Sequence, residues 1–278
     1  MTAILQRIDF KQPIYAIPEI HGRVNLKLKD SNTSNQAIAD LIEQDPGLSL
    51  VLLKLVNSAV YGFKSHISNI NQAVNLLGRN ELAVLLLSTG AIKLFQKLPI
   101  DKAKLQRHTQ HSLLCALIAK NLSQSTPLAA EAGSLFVAGL LHDMGKPIIW
   151  HQCSEKVALI DDSSESVAVF EQENSLLGFN HAQVGHELMK AWGLPDALLA
   201  TTLWHHSPEQ AEHHRDWCEL VALANQLAKL NSDSLVDKFL VDCPYAVPKS
   251  LDETLVKQAI ENARMSLSET SNCYSVAV

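Results

Sequence analysis

Apolar residues recur along this chain at spacings of three and four, the repeat of one helix face, over most of its length. Ala37, Ile38, Leu41 and Ile42 form the first stripe, with Ser34 placed to cap it. Asp45-Pro46 reads as a cap followed by proline at the first helical position, and Leu48, Val51, Leu52, Leu55 and Val56 follow as the next stripe, ended at Gly62. Ser68 opens a third, with Ala73, Val74 and Leu77 inward and Gly78 as its stop. Residues 81–95 are apolar nearly all round, which predicts a central helix.

After Pro99 and Asp101 a long helix is expected through residue 121, striped by Leu105, His108, His111, Cys115 and Ile118. Thr126-Pro127 repeats the cap-then-proline signature ahead of the apolar run 135–141. Further helices are predicted over 181–192, 195–205, 216–230 and 251–265. The one run short and β-branched enough for a strand, 167–170, lies inside a helical pattern, so the expected class is all-α. A loop is expected over 233–249 and a frayed tail after Ser268. Pro99 marks a seam between two packed lobes, dividing the chain into 13–98, 99–235 and a final loop, helix and tail over 236–278.

Composition narrows the class further. A chain of 278 residues that is 47% hydrophobic and 19% charged has the material for a sizeable core, which excludes a disordered protein. Lys+Arg 23 against Asp+Glu 29 gives a net charge of −6, and no dense basic run is present, so nucleic acid is not an expected partner. No stretch approaches the ~18 apolar residues of a membrane span. Arg7 and Asp9 sit where a secretion signal would need an apolar core. A cytoplasmic location without membrane contact is therefore expected. The five cysteines form no CxxC pair and read as free thiols in a reducing compartment.

The chemical signal lies in the 12 histidines. His111, the adjacent pair His142-Asp143, His181 and the pair His205-His206 are the candidates, because imidazole with carboxylate suits zinc, iron or manganese. His142-Asp143 closes an apolar helix in the run Leu-Leu-His-Asp-Met-Gly-Lys, an arrangement that packing alone does not account for. Lys146 follows Gly145, where a helix stop would free it to meet a phosphate as a point charge. Taken singly, His111 fits a core histidine and His205-His206 a helix C-terminus. His151, His186, His213 and His214 are ordinary positions, and Trp192 and Trp204 core aromatics.

With His111 upstream and His205-His206 downstream, that run resembles the HD superfamily of metal-dependent phosphohydrolases. Ile17-Pro18, Asp45-Pro46, Asn57-Ser58-Ala59, Tyr61-Gly62 and the segment from Ala73 to Gly78 are similar to the opening of its HDOD branch, the HD-related output domains. Asn180-His181 with Gly185, and Trp192-Gly-Leu-Pro195 ahead of His205-His206, fit the same branch. The resemblance covers roughly residues 13–230 and implies an N-terminal helical lobe packed on an HD-like core. It implies a bacterial signal-transduction protein acting as a regulatory or binding module, with a signalling protein or a small phosphate-containing ligand as partner. The alternative is an active phosphohydrolase or phosphodiesterase on a nucleotide or related phosphoester.

In related cyclic-dinucleotide phosphodiesterases, positions matching His111, His142, Asp143, His181, His205 and His206 would be metal ligands; in the hydrolase alternative, two ions held there would activate a water, with Asp143 and Lys146 as the catalytic groups. Two departures stand out. The final aspartate of the HD pattern falls at Asn225, and Ser207-Pro208-Glu209 replaces the Gly-Tyr-Pro that would follow His206. Many HDOD proteins have lost their ligands, so the implied divalent metal is partly retained here or absent.

Overall fold

Capping chemistry fixes where the first helices begin. Ser34 Oγ accepts from the Ala37 amide at the head of α2 (Asn35–Glu43), behind α1 (Glu19–Lys29). Asp45 Oδ1 accepts from Leu48 N at 2.9 Å and Pro46 takes the first helical position of α3 (Pro46–Asn57). Asn57 then staples the following loop. Its amide donates to the Leu53 and Ile67 carbonyls, and its Oδ1 accepts from Ile67 N, each at 2.8 Å. The next helix, α4 (Ile70–Gln96), is capped by Asn69 and not by Ser68. Gly78, at φ 73, breaks its helical path as the sequence suggests, but the chain resumes at once and does not stop.

The computed structural model describes residues 7–58, 60–160, 166–243, 248 and 250–275, and among these it is all-α, without a strand. Ala59 and the first six residues lie outside the described set. The remaining helices are α5 (Lys102–Ser123), α6 (Ala132–Leu141), α7 (Gly145–Gln152), the single turn α8 (Ser154–Val157), α9 (Ser166–Leu177), α10 (His181–Ala191), α11 (Asp196–Trp204), α12 (Arg215–Leu227), α13 (Asp233–Val241) and α14 (Glu253–Ser275). No helix among the described residues is long and apolar enough to cross a membrane.

Three local expectations change. Thr126-Pro127 does not cap α6: Thr126 bonds within its own turn, and a 3-10 turn at Ala129–Glu131 intervenes. Residues 233–241 form α13 rather than a loop, because Val236 is buried and Phe239 and Leu240 pack beside it, whereas 244–247 and 249 lie outside the described residues. The helix after Ser268 continues to Ser275, since Thr270, Cys273 and Tyr274 extend its buried face. The last three residues of the chain, 276–278, are outside the described set.

The core is one continuous apolar cluster. α1, α2 and α3 pack on α4, while α6, α12 and α14 surround α5. At the seam between these groups, a half-buried polar knot lies beside the apolar contacts. Tyr61 Oη and Ser134 Oγ each donate to the Glu81 carboxylate at 3.0 Å, and the Lys120 ammonium lies 5.3 Å from the Tyr61 ring centre. Burial pulls the Lys120 pKa down to about 8, against the attraction of Glu81. α14 crosses the same seam, touching α3 as well as α5.

Candidate metal centre

Three helix ends and the middle of a fourth helix bring the chemistry together. α5 carries His111 in its middle, α6 ends on His142 with Asp143 next, α10 begins at His181, and α11 runs into His205 and His206. Two glycines permit the close approaches. A Cβ on Gly139 would sit 2.7 Å from Ala116 Cα, so only glycine lets α6 lie this tightly on α5. A Cβ on Gly145 would sit 2.0 Å from the His181 carbonyl oxygen, which holds α7 against α10 and Asp143 against His181. Gly145 thus opens α7 and is not the helix stop expected from the sequence.

Each buried imidazole is turned by a bond on its far side. His142 Nδ1 donates to the Gly139 carbonyl at 2.7 Å, and His205 Nδ1 to the Thr202 carbonyl at 2.8 Å. His181 Nδ1 donates to Glu173 Oε2 at 2.5 Å, an oxygen that also accepts from the His181 backbone N–H at 2.8 Å. All three rings therefore present Nε2 to the interior, the second-sphere arrangement that orients metal-binding histidines. Around Asp143 stand His181 Nε2 at 3.1 Å, His142 Nε2 at 3.3 Å and His205 Nε2 at 3.5 Å. His206 Nε2 is 3.0 Å from His181 Nε2.

Two sets of ligand atoms result, each drawn to within 4.8 Å of one another and sharing Asp143: Asp143, His181, His205 and His206 in one, His111, His142 and Asp143 in the other. His142 Nε2, Asp143 Oδ1, His205 Nε2 and His206 Nδ1 are buried without a hydrogen-bond partner despite this crowding. Buried polar atoms are ordinarily satisfied. Apart from the His181–His206 hydrogen bond, the donor atoms converge without bonding one another, which fits a divalent cation.

The electrostatics divide the histidines. Burial lowers His142, but Asp143 and Cys115 outweigh it and raise the pKa to about 10, so His142 and His181 favour the charged form while the other three stay neutral. Burial pushes His205 down to about 3 and holds His111 and His206 well below the ordinary 6.5, so all three are neutral and keep a lone pair. For His181 burial acts the same way, but the Glu173 carboxylate overrides it and raises the pKa. Asp143 stays ionised: burial opposes this, and His142, Lys146 and His181 outweigh it. Lys146 does not reach outward. Its ammonium, only partly exposed, lies 2.5 Å from Asp143 Oδ2. Asn225, 2% exposed, faces the second set, with Oδ1 3.0 Å from His111 Nε2.

Glu173 and Phe170 were not singled out by sequence. The signal was there: Phe170, Glu173 and Leu177 share a helix face at spacings of three and four, so the carboxylate falls in an apolar stripe, and it is 2% exposed. The Phe170 ring lies 4.7 Å from that of His206 and walls the site. His151 pairs with Tyr15 Oη at 2.6 Å and His186 with the Leu199 carbonyl, both away from the centre. Trp192 is buried and donates to the Tyr15 carbonyl.

Comparison with known proteins gives a consistent picture. The HDOD domain family profile matches residues 14–208. The solved structure of an HDOD domain protein of unknown function from Geobacter sulfurreducens superposes with a TM-score of 0.73 at 25% identity, over 98% of this chain and 95% of that one. A Shewanella amazonensis protein provisionally named a phosphohydrolase superposes at 0.75 with 21% identity, over 99% and 98%, which shows a shared fold. An uncharacterized protein of Treponema pallidum is 26% identical over 227 residues, 81% of this chain, which spans only 43% of that relative's length. With the profile covering most of its length and the fold agreeing throughout, the chain belongs to the HDOD domain family.

Proposed function

We propose that this chain is a bacterial signalling module that retains one divalent transition-metal ion at Asp143, His181, His205 and His206, and that it acts by binding a phosphate-containing ligand or a signalling partner rather than by hydrolysis. Three imidazoles and one carboxylate suit zinc, iron or manganese. Four protein ligands also fill a tetrahedral shell, the condition of structural rather than catalytic sites. A bound cation there would tie α6, α10 and α11 together and neutralise the buried Asp143 carboxylate.

The observation that carries this reading is the bond from His111 Nε2–H to Asn225 Oδ1. A neutral amide stands where a carboxylate would help to hold a second ion, and it takes up the nitrogen that His111 would offer. Lys146 places a fixed positive charge on Asp143 Oδ2, the oxygen that faces His142. Two-ion phosphoester cleavage needs both positions. The support for the second is weak in both respects.

A second reading, a metal-dependent phosphohydrolase, is favoured by His142 Nε2, which points at Asp143 with no hydrogen-bond partner of its own. Assays with mono-, di- and cyclic nucleotides in the presence of manganese, iron or zinc separate the two. No metal-dependent turnover is expected. Turnover that disappears in a folded His142→Ala variant would replace the first reading with the second.

A further inference from the structure

Away from the metal centre, a cavity of about 1100 Å³ opens between α4, α5 and α14. Lys93, Lys97, Lys102 and Arg264 line it, and among the described residues no carboxylate does. In a chain with 29 acidic and 23 basic residues, a wall holding four cations and no anion is a local reversal of the overall charge. The rest of the lining is amide and hydroxyl side chains over a floor of Leu105, Leu267 and Tyr274, of which Tyr274 is 3% exposed. Lys97 and Lys102 flank the turn at Pro99, so two of the cations project from the seam itself. Arg264 is positioned by donating to the Leu230 carbonyl at 2.6 Å.

The geometry points to a binding site in this cavity for a phosphate-bearing small molecule of nucleoside-polyphosphate size, with phosphates among the cations and a planar or apolar body over the floor. A half-open cleft walled by three helices suits a small molecule better than the flat face of an acidic protein. The site shares no residue with the metal centre and does not depend on how that centre is read. It is nonetheless connected to it, because Thr109 and Gln110 of the cavity wall immediately precede His111, whose side of α5 lies opposite. A ligand here would brace the helix that carries His111.

The test is calorimetric titration of the whole chain with ATP, in EDTA at about 0.15 M salt, where exposed charges are partly screened. Saturable binding of one ATP per chain is expected. The double variant Lys97→Glu/Lys102→Glu should weaken it by about tenfold or more, because like charge now faces the phosphates. Both lysines are exposed, so the fold should survive, and unchanged helical circular dichroism with an unchanged Tm would confirm it. Adenosine should bind at least about tenfold more weakly than ATP, and His206→Ala should leave the ATP affinity unaltered. The inference is overturned if ATP does not bind, or if the double variant binds it as the parent does. It also falls if His206→Ala abolishes binding, or if a poly-glutamate peptide binds and ATP does not.

Discussion

His111 Nε2 lies 3.0 Å from Asn225 Oδ1, a bond that joins the middle of α5 to α12 across the floor of the candidate metal centre. Asn225 is buried, so this amide is not exchanging with water, and the imidazole proton is committed to it. Asn225→Asp replaces a neutral acceptor by an anion beside His111, His142 and Asp143. A second metal ion should then bind, and overall affinity should rise by about tenfold or more. Titration with zinc or manganese followed by elemental analysis reads both quantities. An unchanged ion count and affinity would mean that Asn225 does not influence the second position.

Glu173 fixes His181 twice, at Nδ1 and at the backbone amide. Glu173→Gln keeps the size but removes the charge that favours the Nδ1–H tautomer. Metal affinity should fall by about 10- to 100-fold, while the ion count at saturation stays the same. A loss of affinity with equal loss of Tm in the metal-free protein would instead identify Glu173 as a purely structural residue.

Gly145→Ala would place a methyl group 2.0 Å from the His181 carbonyl oxygen. α7 and α10 must part to admit it, at a cost of about 1–3 kcal/mol in stability. Because the same contact sets Asp143 against His181, metal affinity should fall with it. Urea unfolding beside a zinc titration checks both effects.

His21 gives a pH signature remote from the metal centre. It is 1% exposed on α1, packed on Gly90 with Nε2 3.3 Å from Thr89 Oγ1, and burial together with Lys93 lowers its pKa from 6.5 to about 4 against the pull of Asp45. Between those values the unfolded chain binds the proton and the folded one does not. The contribution is fully present above pH 6.5 and is lost as pH falls toward 4, amounting to about 2 kcal/mol between pH 7 and pH 5. His21→Gln, which cannot charge, should remove that part of the slope in denaturant titrations at the two pH values. Parallel slopes for parent and variant would contradict this.

Helix positions were largely legible because caps and apolar stripes are local signals: Ser34 and Asp45 cap where their side chains suggest. Local signals fail where neighbours decide. Gly78 looks like a terminus, yet packing carries α4 past it, and α13 and the end of α14 form because Val236 and Tyr274 find distant partners. Within the candidate centre, the residue types stood out as a pattern of histidines around His142-Asp143. What no spacing could give was the use of the far ring nitrogens, the burial of Glu173, or the turn of Lys146 inward onto Asp143. Those depend on which helices meet, through glycines whose role appears only in contact.

The most direct measurement is the metal content per chain of the purified protein, beside folded His206→Ala and His111→Ala variants. One transition-metal ion per chain is expected, lost in His206→Ala and kept in His111→Ala. Two ions per chain, or loss of metal in His111→Ala with retention in His206→Ala, would contradict a single ion held by Asp143, His181, His205 and His206.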